Sequence, residues 1–503
     1  MPRLFVFAIG GTGSRVLKSL SMLLASGVKP NNQKEDFEIV PIIIDPHTSN
    51  EDLKRTGRIL NLYQSITDVV GTDSGFFSTS IKTLNNLTDS EKIKSDNFTF
   101  NLQSVSNTKF RDYIDYNNLP ESSKSLADIL FSGASIDKRG SKINLLDIEM
   151  DIGFVGNPNI GSVVLNQFKD SDEFRDFSNI FGEGDRIFII SSIFGGTGAA
   201  GFPTILKNIR NALKNSNLDS RGLLQNAPIG ALTVLPYFNI ETKEDSPIQK
   251  SDFISKTRSA LYYYKDNVTG NKSVNAMYYI TDNYTSGKPL ENDPGGNGQK
   301  NDAHYIEMIS ALSIINFLEI DSNDLQNESG KSVRPIYKEF SLRNEKEDLI
   351  FEDFADGTEK MISSKLTQFT MLKKYIDERI TTSVERESWS NDEPKINNQF
   401  LNQLFYRTHL KDFLELFNDW IIEMSKSGRR FSPFNIDSNL NVLVKGMKVK
   451  GGFWDKKLDY SFYDTTLSKI SKNSKYVSSE EKMIKLFYEA TKEISTNKIG
   501  LKN

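Results

Sequence analysis

Three short segments of the chain combine residues that can hold an anion. They are Ile9-Gly10-Gly11-Thr12-Gly13-Ser14, Gly156-Asn157-Pro158-Asn159-Ile160-Gly161 and Phe194-Gly195-Gly196-Thr197-Gly198-Ala199-Ala200-Gly201. Without a Cβ in the way, backbone N–H groups converge on a charged ligand. A helix that follows adds its positive N-terminal end, worth about 0.3–1 kcal/mol per exposed charge. Each segment follows a run with strand character, and the first and third continue into helix-forming sequence. Phosphate is the ligand this chemistry fits. One such loop alone is as readily a tight turn; three in one chain order point to a nucleotide.

Two familiar phosphate patterns fit poorly. The GxxxxGK[ST] loop is absent, because no Lys-Ser/Thr pair directly follows the glycines of these segments. The dinucleotide fingerprint is met in part. Val16 stands where a third Gly or Ala would let the helix pack closely, while Asp45, ending the second strand, is placed to hold a ribose. That reading, a nicotinamide-dependent dehydrogenase, accounts for neither the second loop nor the third.

The elements that must carry these loops follow from hydrophobic period. A strand over Leu4–Ile9, a helix over Ser14–Ser26 and a strand over Ile39–Ile44 make a βαβ unit, hence an α/β sheet. From about Asp52 to Asp151 the chain turns polar and helical, as a large insertion with surface helices. The α/β pattern resumes with strands over Arg186–Ser191, Ile229–Leu235 and Ala276–Thr281, and with helices running to about Lys214 and over Phe253–Tyr264. After a Gly/Asn/Pro loop over Tyr284–Asp302, the segment Ala303–Leu318 is apolar almost all round, which predicts a helix buried on most sides. Beyond it the sequence predicts a β-hairpin over Val333–Phe351, a helix over Glu359–Ile376 and a linker or exposed loop over Ser383–Asn397. It then predicts a helix over Phe400–Met424, a strand pair around Val442–Val449 and a last helix near Glu480–Glu493.

Composition narrows the chemistry further. The 503 residues suit two to four domains, with 62 Lys plus Arg against 66 Asp plus Glu, a formal net charge of −4. General binding to nucleic acid is not expected from that balance. With no cysteine, thiolate metal sites, iron–sulfur clusters and cysteine nucleophiles are excluded, and three histidines (His47, His304, His409) leave little for a zinc centre. No apolar run approaches the roughly 18 residues that span a bilayer. The N-terminus runs into a strand and a glycine turn rather than a cleavage site, so a cytoplasmic protein is expected.

The ordered loops resemble those of the tubulin/FtsZ superfamily, in a divergent bacterial form. Phe194–Gly201 is similar to the signature GGGTGSG, whose backbone and Thr hold the α- and β-phosphates, and Pro203 follows it as in FtsZ. Gly156–Gly161 is similar to the GANPEVG loop that senses the γ-phosphate. Gly10–Ser14 stands at the first glycine loop and Asp45 at the post-strand Asp. Leu235–Glu241 resembles KPFNFEG near the ribose, and Thr281-Asp282-Asn283 the strand-end motif near the base. The resemblance covers about 1–283. It implies GTP or GDP as ligand, with Mg2+ held mainly by phosphate and no protein metal site. The nucleotide-binding residues it implies are Gly10, Gly11, Thr12, Gly13, Ser14, Asp45, Gly156, Asn157, Pro158, Gly195, Gly196, Thr197, Gly198, Ala199, Glu241 and Asn283. Base identity rests on the resemblance alone.

In this superfamily, an acidic residue on the loop after the central helix reaches the next subunit's nucleotide and polarises water. With Ala303–Leu318 as that helix, Phe351-Glu352-Asp353-Phe354-Ala355-Asp356 is similar to NVDFADV and puts Asp353 and Asp356 on the acidic positions. It departs from the pattern by lying about 30 residues beyond the helix. A rival placement at Asp302–Glu307 makes Glu307 the acid; otherwise Glu307 needs a buried partner, and His304 suits a helix cap or a base neighbour.

The resemblance thus implies a three-layer α/β nucleotide-binding domain over 1–302, with an insertion at about 52–150. A central helix over 303–318 and a smaller α/β domain over 319–503, with its activating loop near 351–357, would complete the chain. The implied function is a GTP-binding protein that assembles head to tail with copies of itself and hydrolyses GTP at the subunit contact. A non-hydrolysing nucleotide-dependent scaffold is the alternative, and the insertion leaves room for a further protein partner that nothing in the sequence identifies.

Overall fold

The computed structural model describes residues 1–30, 36–47, 50–87, 98–100, 102–136, 142–150, 154, 157–237, 250–282, 300–326, 333–338, 340, 342, 346–449 and 457–501. In chain order its principal elements begin with β1 (Arg3–Ile9), α1 (Gly10–Ala25), β2 (Glu38–Ile44), α2 (Glu51–Val70) and β3 (Thr99–Phe100). They continue with α3 (Pro158–Leu165), β4 (Arg186–Ser192), α4 (Gly196–Arg210), β5 (Ile229–Val234), α5 (Lys250–Tyr264), β6 (Ala276–Ile280), α6 (Tyr305–Glu319) and β7 (Ile336–Lys338). The long helices α7 (Asp356–Glu378), α8 (Lys411–Met424), α9 (Tyr460–Ser471) and α10 (Ser479–Ile494) follow.

The seven strands form one sheet in the order β3-β2-β1-β4-β5-β6-β7, and every pairing is parallel. Parallel strands are joined by crossovers that lay helices on both faces, so their residues are buried on both sides. In β1 the side chains divide by the two-residue period. Leu4, Val6 and Ala8 join the core that holds α1, α2, α6 and the C-terminal helices. Phe5, Phe7 and Ile9 join the core under α3 and α4, where Phe5 and Phe7 meet Phe177 edge to face at 4.8 and 5.2 Å. The result is three layers.

In α6 every residue except Asn316 and Glu319 is buried, as the all-round apolar pattern requires. The start of the expected insertion forms α2, which is capped by Asn50 and packs on α1; Thr56 Oγ1 donates to the Ser14 carbonyl at 3.1 Å.

The C-terminal part departs from the expected pattern in three places. Ile336–Lys338 adds to the edge of the main sheet, and Asp348–Leu349 pairs instead with Arg430–Phe431, so 333–351 is no hairpin. Residues 440–442 form a short 3-10 turn, with a single bridge from Val444 to Phe434 in place of a strand pair. The segment expected to be a linker or exposed loop buries Trp389 completely, its indole N–H donating to Asp464 at 3.3 Å. Apart from that two-residue ladder and isolated bridges, the described residues beyond 346 are helices and connections. Their core is continuous with α1 and α2: Trp420 donates to Ser19 Oγ at 3.0 Å and Phe413 meets Tyr63 at 6.1 Å.

Candidate functional site

The chain switches direction between β1 and β4. From β1 it moves outward to β2 and β3, then returns to β4 on β1's other side and continues to β7. In open α/β sheets a ligand binds at such a switch point, in the crevice outside the carboxyl ends of the strands. The glycine segments meet there. Gly10 has φ +72°, and a Cβ on it would lie 3.4 Å from Thr197 Cβ and 3.7 Å from the Gly198 nitrogen. A Cβ on Gly161 would lie 2.7 Å from Ala200 Cβ and 3.1 Å from the Gly196 carbonyl oxygen. The starts of α1 and α3 therefore both lie against the start of α4.

Two further glycines fix how α1 and α4 leave their strands. A Cβ on Gly13 would come within 2.6 Å of the Ala8 carbonyl carbon, and one on Gly198 within 2.7 Å of the Ser192 carbonyl oxygen. Each helix folds back on the end of its strand at a distance only glycine allows. Gly11, Gly195, Thr197 and Ala199 remain half-buried at this rim, and Pro158 follows Asn157 as the first residue of α3.

The electrostatics of the three helix starts are alike. None receives a side-chain cap, and none has an acidic residue in its first turn. By contrast α2, α6, α9 and α10 are all capped by side chains. An uncapped α-helix leaves its first N–H groups unsatisfied. Ser14 Oγ is also buried with no hydrogen-bond partner among the described residues. Uncapped N–H groups, a cradle that a Cβ would fill and an orphaned hydroxyl fit phosphate oxygens.

Beneath this rim lies a buried charge network. Arg15 donates through Nε to Glu307 at 2.6 Å and through Nη1 to Asp52 at 3.2 Å; its other nitrogen is 3.5 Å from both Thr12 Oγ1 and the Tyr237 hydroxyl. Tyr237 donates to Glu307 at 3.0 Å, and Asn301 binds Asp52 through both its N–H and its amide at 3.0 Å. One turn along α1, Lys18 faces Glu423 of α8 at 3.4 Å, and Glu423 also accepts from Arg55 and from the Ala303 N–H at 2.9 Å. Each buried charge thus has an opposite partner, the condition for tolerating it.

Two titratable groups beside the network are displaced. Burial, reinforced by the Asp52 charge, pushes the Asp45 carboxyl up to about 7, against the His47 N–H that it accepts at 3.0 Å and the Arg15 charge. Burial lowers His304 to about 4; its Nδ1 accepts the Ile306 N–H at 3.2 Å, which makes it the cap of α6.

The candidate acids occupy three different environments. Glu307 is sealed in the Arg15 network and also accepts the His304 N–H at 3.3 Å, so it is a structural anion rather than a group facing solvent. Asp353 is fully buried, accepts the Ile350 N–H at 2.9 Å and pairs with Lys346 at 2.8 Å, while Asp356 is exposed at the start of α7. Both sit at the end of the sheet that holds the glycine loops. Phe354 bridges to Leu342, beyond the carboxyl end of β7, and Arg429 links the Lys346 carbonyl to Asp282, just past β6, with both contacts at 2.9 Å.

The opposite end of the sheet carries a different pair. α6 starts at the Arg15 network and ends at Arg186, the first residue of β4, which donates to the Phe317 carbonyl at 2.9 Å. The next residues, Glu319-Ile320-Asp321-Ser322-Asn323-Asp324, expose Asp321 and Asp324 three positions apart. That acidic spacing directly after the buried helix was the signal available in the sequence. Gly156, Glu241 and Asn283 lie outside the described residues.

Among the solved structures similar to this chain are two CetZ proteins and an FtsZ. CetZ from Methanosaeta thermophila strain DSM 6194 is 12% identical with a TM-score of 0.31, over 65% of this chain and 58% of that one. CetZ2 from Haloferax volcanii, in a GTPγS-bound protofilament, is 9% identical with a TM-score of 0.29, over 65% and 61%. FtsZ of M. jannaschii, an empty dimer, is 14% identical with a TM-score of 0.24, over 56% and 45%. This chain spans less than two thirds of the length of each. No family model and no curated protein matches it. Among the described residues no helix is long and apolar enough to cross a membrane, and no cluster of three or more His, Asp or Glu could hold a metal ion.

Proposed function

We propose that this chain binds a nucleoside triphosphate, GTP by its sequence resemblance, at the junction of β1 and β4, and that it assembles head to tail and hydrolyses the nucleotide at the subunit contact. The observation that carries the reading is the meeting of three uncapped, acid-free helix starts at the sheet's switch point. Gly11, Thr12, Gly195, Thr197 and Ala199 hold phosphate oxygens through backbone N–H and hydroxyl groups, and Ser14 gains the partner it lacks. When bound, Mg2+ offsets phosphate charge, and the phosphates hold it.

A head-to-tail contact joins the loop end of one copy to the opposite end of the next. Asp321 and Asp324 are exposed at that opposite end, whereas Asp353 and Asp356 share the loop end. Asp321 and Asp324 therefore orient water on the neighbour's nucleotide, by positioning and electrostatics rather than covalent chemistry.

The test is direct: the purified chain is denatured and the released nucleotide identified by anion exchange, then phosphate release is followed against protein concentration. Guanine nucleotide and a per-molecule rate that climbs with concentration are expected. Recovery of NAD(H) rejects the nucleotide assignment in favour of a dehydrogenase, and a flat rate rejects hydrolysis in trans. Binding with no phosphate release at any concentration selects the non-hydrolysing scaffold.

A further inference from the structure

β4 touches both ends of the machinery. At its carboxyl end Ser192 lies against Gly198 of the third glycine loop; at its amino end Arg186 reaches the exit of α6. Seven strand residues put those ends about 20 Å apart. Arg186 is 6% exposed, and its guanidinium lies over the rings of Phe37 and Phe317 at 5.4 and 5.6 Å. Through Nη1 it donates to the Phe317 carbonyl at 2.9 Å and reaches the Leu318 carbonyl at 3.5 Å; through Nη2 it donates to Ser322 Oγ at 3.1 Å. The last carbonyls of a helix lack intrahelical donors, so a planar, two-armed cation there is bound strongly and in one orientation.

The second arm is the informative one. Ser322 lies between Asp321 and Asp324, in the one-turn helix Ser322–Leu325 that Asp321 caps by accepting the Asn323 N–H at 2.9 Å. A single guanidinium therefore spans the end of α6 and the start of the acidic turn, and fixes the angle between them. The third acid of the segment is held apart: Glu319 accepts from Asn316, whose side chain accepts from the Tyr278 hydroxyl at 3.0 Å.

The geometry points to Arg186 as the positioning residue that aims Asp321 and Asp324 outward from the end of α6. This rests on the reading of those two residues as the acids that act on a neighbouring copy. Arg186 touches no substrate. It acts through the backbone of α6, through Ser322 and through its charge beside Asp321.

The experiment uses the full chain with Arg186→Lys, Ser322→Ala, Asp321→Asn and Asp324→Asn. It measures labelled-GTP affinity at dilute protein, sedimented polymer, and phosphate release per sedimented subunit. Arg186→Lys keeps the charge but removes the second arm. GTP affinity is expected to stay within about twofold while release per assembled subunit falls about tenfold or more. Ser322→Ala deletes only the Nη2 contact at an exposed residue, and is expected to lower release in the same direction with an unchanged melting temperature. If Arg186→Lys does not fold, Ser322→Ala decides alone. Release unchanged in both variants, with Asp321→Asn or Asp324→Asn inactive, overturns the role of Arg186 and leaves the acids in place. Release unchanged in both Asp variants overturns the reading of the acids, and this inference with it.

Discussion

Arg15 and Glu307 are 292 residues apart in sequence and 2.6 Å apart in space, each with a side chain no more than 4% exposed. Their ion pair joins the helix that opens at the first glycine loop to the start of the central helix. Removing Glu307 leaves Arg15 with Asp52 as its remaining carboxylate partner, but strips the Arg15 Nε, the Tyr237 hydroxyl and the His304 N–H of a shared buried acceptor, at a cost of up to about 3–5 kcal/mol. Glu307→Ala is therefore expected to lower the denaturant midpoint sharply. Where the variant folds, it should still release phosphate, because the carboxylate is structural. A variant of wild-type stability would show that the pair does not hold the two helices together.

Asp45 and His304 give stability opposite pH slopes. The Asp45 carboxyl is raised to about 7 from an ordinary 3.8, so between those values the folded chain holds a proton that the unfolded chain has lost. Its contribution is fully present below about 4 and is lost as pH rises through 7. His304, lowered from 6.5 to about 4, behaves in reverse: the unfolded chain binds the extra proton, and stability is lost as pH falls from 6.5 to 4. The two slopes offset one another over the acid range. Asp45→Asn should uncover the His304 slope, giving a midpoint that climbs from pH 4 to 6.5 and then levels. It should also stabilise the chain at pH 8, by at most on the order of 4 kcal/mol. Urea midpoints at half-unit pH intervals check both.

The glycines separate into those that are required and those that are not. Gly13 and Gly198 approach backbone too closely for any side chain, so Gly13→Ala and Gly198→Ala should displace the helix starts and abolish nucleotide binding. Gly57, inside α2, faces open space: a methyl group there would meet nothing within 4 Å. Gly57→Ala should therefore leave binding intact and add about 0.8–1 kcal/mol of stability. Equilibrium binding of labelled GTP with thermal melts of the three variants tests the contrast. Equal effects at Gly57 and Gly198 would show that the close approach is not what matters.

Local pattern made the sheet legible. The runs at Leu4–Ile9 and Arg186–Ser191, each followed by a glycine turn and a 3.6-period segment, can be read without knowledge of any partner, and so can the all-round apolar face of α6. What could not be read is what only tertiary contact decides. Trp389 sits in a polar stretch whose surroundings come from α7, α9 and α10, and the Val333–Phe351 strands find partners 60 to 82 residues away instead of each other. The Arg15–Glu307 pair is likewise invisible to any local window. The acidic motif is ambiguous for a simpler reason: Asp353-Phe354-Ala355-Asp356 matches the expected letters. Position relative to the central helix is the stronger constraint, because it fixes which end of the sheet a residue occupies.

That constraint decides the last prediction. Asp321 and Asp324 are exposed at the end of the sheet where α6 finishes, and Asp356 is exposed at the end where the glycine loops begin. If hydrolysis occurs across a head-to-tail contact, an acid can serve a neighbour only from the first position. Asp321→Asn and Asp324→Asn should each abolish phosphate release while GTP affinity and assembly persist, since neither residue touches the chain's own glycine loops. Asp356→Asn should release phosphate at the wild-type rate. Mixing supplies an internal check: Gly198→Ala subunits, which keep intact acids but hold no nucleotide, should restore release to Asp321→Asn subunits, which hold nucleotide but lack the acid. Release lost in Asp356→Asn and kept in Asp321→Asn would reverse the assignment and place the reacting carboxylate within the same subunit as its nucleotide.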